Sequence, residues 1–177
     1  MADILLLDAC VVSNMIRLYD SKIDVVSLVT QHVGAVYVPN VILQEVRKAF
    51  NIDDPRDYSL NVLETPSRIR FDAARLHNER EKISENDYCC FLLAKERDYV
   101  CVTNDKDLQN TCIRHGVKSK WELELLLSLY ECGAIDYDYA VTYLLELKKI
   151  SSRISPKVER DYMERLERLK SEKDTND

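Results

Sequence analysis

A short, unbroken apolar run near the start, Ile4-Leu5-Leu6-Leu7, ends abruptly at Asp8. A run with no polar alternation needs cover on both faces, the setting of a strand inside a parallel sheet. Residues 35–38 repeat the signature and are closed by Pro39, and residues 99–103 (YVCVT) are rich in β-formers. Shorter strands are expected at 60–63 and 117–119. Helical patterns fall between them, at 11–18, 22–33, 41–50, 68–82, from Ser84 to 97, and at 105–115, with 51–58 read as a loop. In 68–82, Ala73, Ala74 and Leu76 are expected to face inward. Strand alternating with helix over the first 120 residues predicts right-handed βαβ units and a mainly parallel sheet layered between helices.

Two further helices are expected at 122–131 and 137–150, with Gly133 as a stop and Asp136 as an N-cap. The organisation predicted is one domain over 1–155, including these added helices, and a charged C-terminal helix or tail over 156–177. In that tail Val158, Tyr162, Leu166 and Leu169 form a narrow apolar stripe, and Asp161–Arg165 and Glu164–Arg168 are spaced as i,i+4 ion pairs. Two readings stay open: a solvated helix, or one that docks on a partner or a second copy.

Composition narrows the function classes. Neither GxGxxG nor GxxxxGK[ST] can be assembled from Gly34, Gly116 and Gly133, the only glycines in 177 residues. No run of about 18 apolar residues exists, so no membrane span is expected. The start lacks a basic stretch and a long apolar core, so it does not read as a secretory signal. The six cysteines (10, 89, 90, 101, 112 and 132) sit in apolar or helical patterns and read as free buried thiols in a reducing cytoplasm. With no CxxC pair and scattered histidines, a zinc site is not expected. The balance of 25 Lys+Arg against 31 Asp+Glu, net −6, predicts weak nonspecific adhesion to nucleic acid while allowing a local basic groove.

In open parallel sheets ligands bind beyond the carboxyl ends of the strands. Asp8 follows one strand directly, and Asp105 follows YVCVT after Asn104. Glu45 lies on the helix after the second strand, beside its apolar side. Asp87 starts the helix that leads into YVCVT. If these helices pack in the usual way, all four carboxylates converge, and Asp107 could join them. Each also has a plain structural role available: helix caps for Asp8, Asp87 and Asp105, a surface position for Glu45, a first-turn acid for Asp107.

Two carboxylates about 4 Å apart repel by about 4 kcal/mol at an effective dielectric near 20. Several together need a cation or raised pKa values. Mg²⁺ or Mn²⁺ suits carboxylates, waters and phosphate oxygens, and such ions serve in-line displacement at phosphorus. An acid-only, histidine-free set therefore points to phosphodiester hydrolysis.

The segments LLLDACVV, VPNVILQEV, SENDYCCFLLAKERDYVCVTNDKDL and GVKSKWELELLLSLYECGAI together resemble the PIN domain, a family of metal-dependent nucleases. The resemblance covers roughly residues 3–150, and its most specific part is 87–108. It implies a three-layer α/β/α fold and Mg²⁺ or Mn²⁺ held by Asp8, Glu45, Asp87 and Asp105, with Asp107 beside them. It implies RNA, single-stranded or structured, as the usual substrate. It also implies, for VapC-like members, a toxin role with an antitoxin partner, and it makes a homodimer plausible. The helices after Trp121 are similar to an extension in one group of prokaryotic PIN proteins.

One departure lies in the site itself. Many members carry Ser or Thr two residues after the first Asp; here that position is Cys10, a weaker donor, with Ser13 as a substitute. Thr103 and Asn104 are placed to support the ligands. Arg47, Lys48 and Lys106 are the basic residues closest in sequence to the acids, and Tyr88 and Trp121 are the aromatics that could stack on bases. Two readings of another class remain: a PIN fold that binds or interacts without turnover, and a Toprim-like phosphotransferase built on Asp105, Asp107 and Glu45, which leaves Asp8 and Asp87 without a role.

Overall fold

The computed structural model describes residues 3–50, 54–80 and 82–175. Five strands form one all-parallel sheet in the order β3-β2-β1-β4-β5. They are β1 (Asp3–Leu7), β2 (Gly34–Pro39), β3 (Asn61–Leu63), β4 (Val100–Val102) and β5 (Ser119–Lys120). The helices are α1 (Ala9–Asp20), α2 (Val25–His32), α3 (Asn40–Phe50), α4 (Ser67–Arg80), α5 (Glu85–Arg97), α6 (Lys106–Arg114), α7 (Glu122–Glu131), α8 (Tyr137–Ile150) and α9 (Pro156–Asp174).

The run Leu5-Leu6-Leu7 is fully buried because β1 is central and covered on both faces. Leu5 and Leu7, with Val36, Val38, Val100 and Val102, pack against α1, α2, α7 and α8. Leu6 and Cys101 point the other way, into a core shared with α4, α5 and α6. The result is the expected three-layer α/β/α fold. From β1 the chain steps outward to β2 and β3, then crosses back to β4 and β5 on the other side. That reversal between β1 and β4 is where such sheets open a crevice at the carboxyl ends of their strands. Gly34 permits the close pairing of β2 with β1, since a Cβ there would come within 2.2 Å of the Asp3 carbonyl oxygen.

Boundaries differ from the sequence reading where caps intervene. Lys22 adopts φ 67° and Asp24 caps α2 by accepting from the Ser27 amide, so that helix starts three residues later than expected. Tyr99 belongs to the end of α5: Asp98 takes a left-handed conformation, and the Tyr99 amide donates to the Ala94 carbonyl. After α6, Gly116 at φ 68° turns the chain, and β5 pairs through Ser119 and Lys120 rather than residues 117–118. Within the expected 51–58 loop, Pro55–Tyr58 forms a 3₁₀ turn, while residues 51–53 lie outside the described residues, as does residue 81 of the expected 68–82 helix. In α4 the buried positions are Ile69 and Ala73; Ala74 and Leu76 are only half-buried.

The apolar stripe of the tail is covered by the chain's own helices. Tyr162 and Leu166 of α9 are buried in the core with α7 and α8, and the Tyr162 hydroxyl donates to the Ala140 carbonyl. Arg165 consequently reaches Glu124 of α7 at 3.3 Å instead of Asp161, and Arg168 lies 4.0 Å from Glu172 instead of Glu164. The six cysteines are free; Cys132, expected inside, is exposed. Among the described residues no helix is long and apolar enough to cross a membrane.

Candidate active site at the strand ends

Asp8 leaves β1 at the crevice and is 1% exposed. It is the N-cap of α1, with Oδ1 accepting from the Val11 amide at 3.0 Å. The Thr103 hydroxyl, at the end of β4, donates to Oδ2. The Cys10 thiol donates to both oxygens, at 3.1 and 3.3 Å. Burial pushes the Cys10 thiol well up, and the Asp8 carboxylate raises it further, so it stays a donor. Cys10 therefore occupies the hydroxyl's place with its weaker hydrogen. Ser13 is half-buried on α1, and among the described residues its hydroxyl makes no hydrogen bond to the acids.

Asp105 caps α6. Its Oδ1 accepts from the Asp107 and Leu108 amides, at 2.8 and 3.0 Å, while its own amide donates to Thr103 Oγ1 at 2.8 Å. Thr103 thus ties Asp8 to Asp105 through one hydroxyl. Asp105 Oδ2 pairs with Arg153 Nη1 at 2.7 Å. Asp87 sits in a capping box at the start of α5, its Oδ2 accepting from the Ser84 hydroxyl at 2.8 Å and the Ser84 amide at 3.2 Å. Glu45 is exposed on α3, and its Oε2 accepts from Asn86 Nδ2 at 2.7 Å, which fixes α3 to the start of α5.

The electrostatics show these acids sharing one neighbourhood. Burial raises the Asp8 pKa to about 6, with a further push from Asp87, against the lowering pull of Thr103 and Val11. Burial also raises Asp87, and both Asp105 and Glu45 add to the rise. For Asp105 burial pushes up, but the Leu108 amide and the Arg153 guanidinium outweigh it and leave the pKa lowered. Asp107 is exposed on the first turn of α6, where its side chain makes no hydrogen bond or ion pair among the described residues. Three helix N-termini, of α1, α5 and α6, are capped by Asp8, Ser84 with Asp87, and Asp105. Their dipoles favour negative charge at this edge.

In this arrangement no three His, Cys, Asp or Glu side chains among the described residues are set to hold a metal ion together. The cause is visible: each carboxylate is turned toward a partner of its own, namely Thr103, Ser84, Asn86 or Arg153. The donor set still suits a hard divalent ion, being all oxygen, with two acids whose pKa values are raised by burial and by neighbouring carboxylates.

Among the basic residues expected nearby, Arg47 and Lys48 are exposed on α3, and Lys106 is exposed at the start of α6. Tyr88 is 3% exposed in the α4–α6 core, so it offers no face to a base; its place on α5 points inward with Phe91 and Cys89. Trp121 is half-buried ahead of α7.

The largest omission of the sequence reading is Glu122, with no exposed surface. Its Oε2 accepts from Asn14 Nδ2 at 2.8 Å and Asn104 Nδ2 at 2.5 Å, and its Oε1 accepts from the Tyr143 hydroxyl at 2.5 Å. The Glu122 amide returns a bond to Asn104 Oδ1 at 3.2 Å. Asn104, expected to support the ligands, does so indirectly: it pins the loop before Asp105 to α1, α7 and α8. In sequence Glu122 looks like any first-turn acid of a leucine-rich helix, and Arg153 like one more charge of the tail; no local pattern distinguishes either.

A family model described as PIN domain matches residues 10–168, most of the chain and including much of α9. No curated protein matches. Among solved structures, the chain is similar to the VapBC2 complex of Rickettsia felis bound to a DNA fragment from its promoter. That likeness has 16% identity and a TM-score of 0.46, covering 67% of this chain and 98% of the other. The match to the family model assigns the chain: it belongs to the PIN-domain family.

Proposed function

We propose that the chain is a Mg²⁺- or Mn²⁺-dependent endoribonuclease whose site is Asp8, Glu45, Asp87 and Asp105. The observation that carries this reading is the raised pKa of buried Asp8 and half-buried Asp87, from burial first and neighbouring carboxylates second, at the strand ends of a PIN fold. A bound divalent ion would supply charge neutralisation, water activation and stabilisation of the leaving oxygen.

The protein's own groups set the geometry. Thr103 holds the carboxylates of β1 and the start of α6 in one register. Asn104 and Glu122 brace the connecting loop from behind. The amide ends of α1, α5 and α6 stabilise added negative charge, so a phosphodiester is a natural guest. Glu45, exposed and hydrogen-bonded to Asn86, would orient an attacking water. Departure of the 3′-oxygen leaves a 5′-phosphate on the product. An inhibitory protein partner, as the resemblance implies for VapC-like members, would act by covering this edge.

The test is cleavage of end-labelled single-stranded RNA and matched DNA in Mg²⁺, Mn²⁺ or EDTA, with Asp8→Asn and Asp105→Asn. Metal-dependent RNA cleavage should drop at least roughly a hundredfold in both variants. Unchanged cleavage by Asp8→Asn would defeat the proposal. The second reading, a PIN fold that binds without cutting, draws on the Arg153–Asp105 pair, which engages one proposed ligand. Metal-dependent RNA binding with no product would favour it.

A further inference from the structure

Beside the acids lies a groove of about 610 Å³, bounded by the start of α6, the first turns of α7 and the first turns of α9. Its volume falls in the usual range for small-molecule sites. Its apolar lining includes Leu123 and Val158, and Trp121 lines it beside them. Lys106, Arg153 and Lys157 line it as well. Lys106 and Lys157 make no ion pair among the described residues, and both are exposed. Of the two acids that also line it, Glu124 is tied to Arg165 at 3.3 Å and to the Trp121 amide at 2.8 Å, which leaves Asp161 as the other.

Four cations against two acids make the groove locally positive on a chain of net −6. The groove is also continuous with the candidate active site. Arg153 lies in both, with Nη1 2.7 Å from Asp105 Oδ2 and 3.4 Å from the Asn104 carbonyl oxygen. An apolar lining with two aromatics, Trp121 and Tyr162, flanked by cations and opening at an acid cluster, is the composition of a site for a flat base carrying a phosphate. A protein helix docking here would cover Lys106, Arg153 and Lys157 together, with only Asp161 of the lining left to pair them.

We propose that this groove is a nucleotide subsite: it holds one residue of the RNA strand next to the cleaved bond. The base lies on Trp121, and the phosphates are held by Arg153, Lys106 and Lys157. The substrate class rests on the nuclease function proposed above; the groove itself is a separate claim. The turn between α8 and α9, which carries Arg153, thereby takes part in binding the substrate.

Trp121 is the only tryptophan in the chain, so emission under tryptophan-selective excitation, which leaves the tyrosines silent, reports on this groove. The full-length protein is titrated with a fluorescein-labelled 12-nucleotide single-stranded RNA in Ca²⁺, with RNA integrity followed on a gel. Label anisotropy and, with unlabelled RNA, tryptophan emission are recorded. Emission should be quenched saturably along the same binding curve. Arg153→Gln and Lys157→Gln should each weaken binding roughly tenfold with unchanged circular dichroism. Lys157 is exposed, so its variant tests the groove without risk to the fold. RNA binding without quenching, or an unchanged curve for Lys157→Gln, overturns the subsite and leaves the groove to a protein occupant. Absence of any binding overturns it too. Quenching with no cleavage in Mg²⁺ or Mn²⁺ defeats the nuclease reading alone, and cleavage with a silent tryptophan defeats the subsite alone.

Discussion

Glu122 gives the protein an unusual dependence of stability on pH. Its carboxyl has no exposed surface, and burial raises its pKa from 4.5 to about 7, with Tyr143, Asn14 and Asn104 pulling the other way and Asp8 adding to the rise. Between those two values the folded chain holds a proton that the unfolded chain has released. The stability that Glu122 contributes is therefore fullest below pH 4.5 and is lost as pH rises through 7. The gap, 7 − 4.5, converts at about 1.4 kcal/mol per pH unit to roughly 3 kcal/mol in all. Roughly 2 kcal/mol of that falls between pH 5 and pH 8. Glu122→Gln removes the titration while keeping an acceptor for Asn14 and Asn104, and the new amide can donate to the Tyr143 oxygen. Urea unfolding in EDTA at pH 5 and pH 8 checks the reasoning. The wild-type chain should lose roughly 2 kcal/mol more than Glu122→Gln between the two. Asp8, also raised, acts in the same direction in both chains, and its coupling to Glu122 is part of the difference read. Parallel pH profiles would refute the argument, because they would mean that Glu122 is already ionised or solvated when folded.

Three further outcomes follow from packing and caps. Ser84→Ala breaks the capping box on α5 and should cost about 1 kcal/mol in a denaturant melt, while sparing more cleavage than Asp87→Asn does. Leu166→Ala should cost roughly 3 kcal/mol, because the residue is buried against α7 and α8; a loss below about 0.5 kcal/mol would mean a solvated tail. Gly34→Ala places a methyl 2.2 Å from a backbone oxygen of the neighbouring strand, so it should cost about 3 kcal/mol or prevent folding, as soluble yield and thermal melting would show.

The central strand, the alternation of elements and the places of Asp8, Asp87 and Asp105 at helix starts were all readable because they rest on local signals. An apolar run capped by Asp, and Ser-x-x-Asp before a helix, carry their meaning within a few residues. The bounds of α7 and α8 were readable for the same reason, with Asp136 and Gly133 as punctuation. What escaped depends on residues far apart in the chain. Glu122 reaches Asn14 across 108 positions, and Arg153 reaches Asp105 across 48. The burial of Tyr88 was missed because its helix is apolar on more than one side, so periodicity did not say which way the ring turned. The ion pairs expected along α9 were displaced because Glu124 on the neighbouring helix competes for Arg165.

The capping roles of Asp8 and Asp105 bear on how this site should be interrogated. Each spends one oxygen on backbone amides at the start of a helix and gives the other to a side chain, Thr103 for Asp8 and Arg153 for Asp105. An alanine scan would therefore confound two losses, since removing the side chain frays a helix as well as deleting a charge. Asparagine keeps an oxygen for the amides, so the helix stays capped while the charge and the second acceptor, which meets Thr103 or Arg153, are removed. The same coupling limits how such a chain can drift. A lineage that abandons the chemistry keeps pressure for Asp, Asn, Ser or Thr at these positions, so an inactive descendant would still carry much of the outline of an active one.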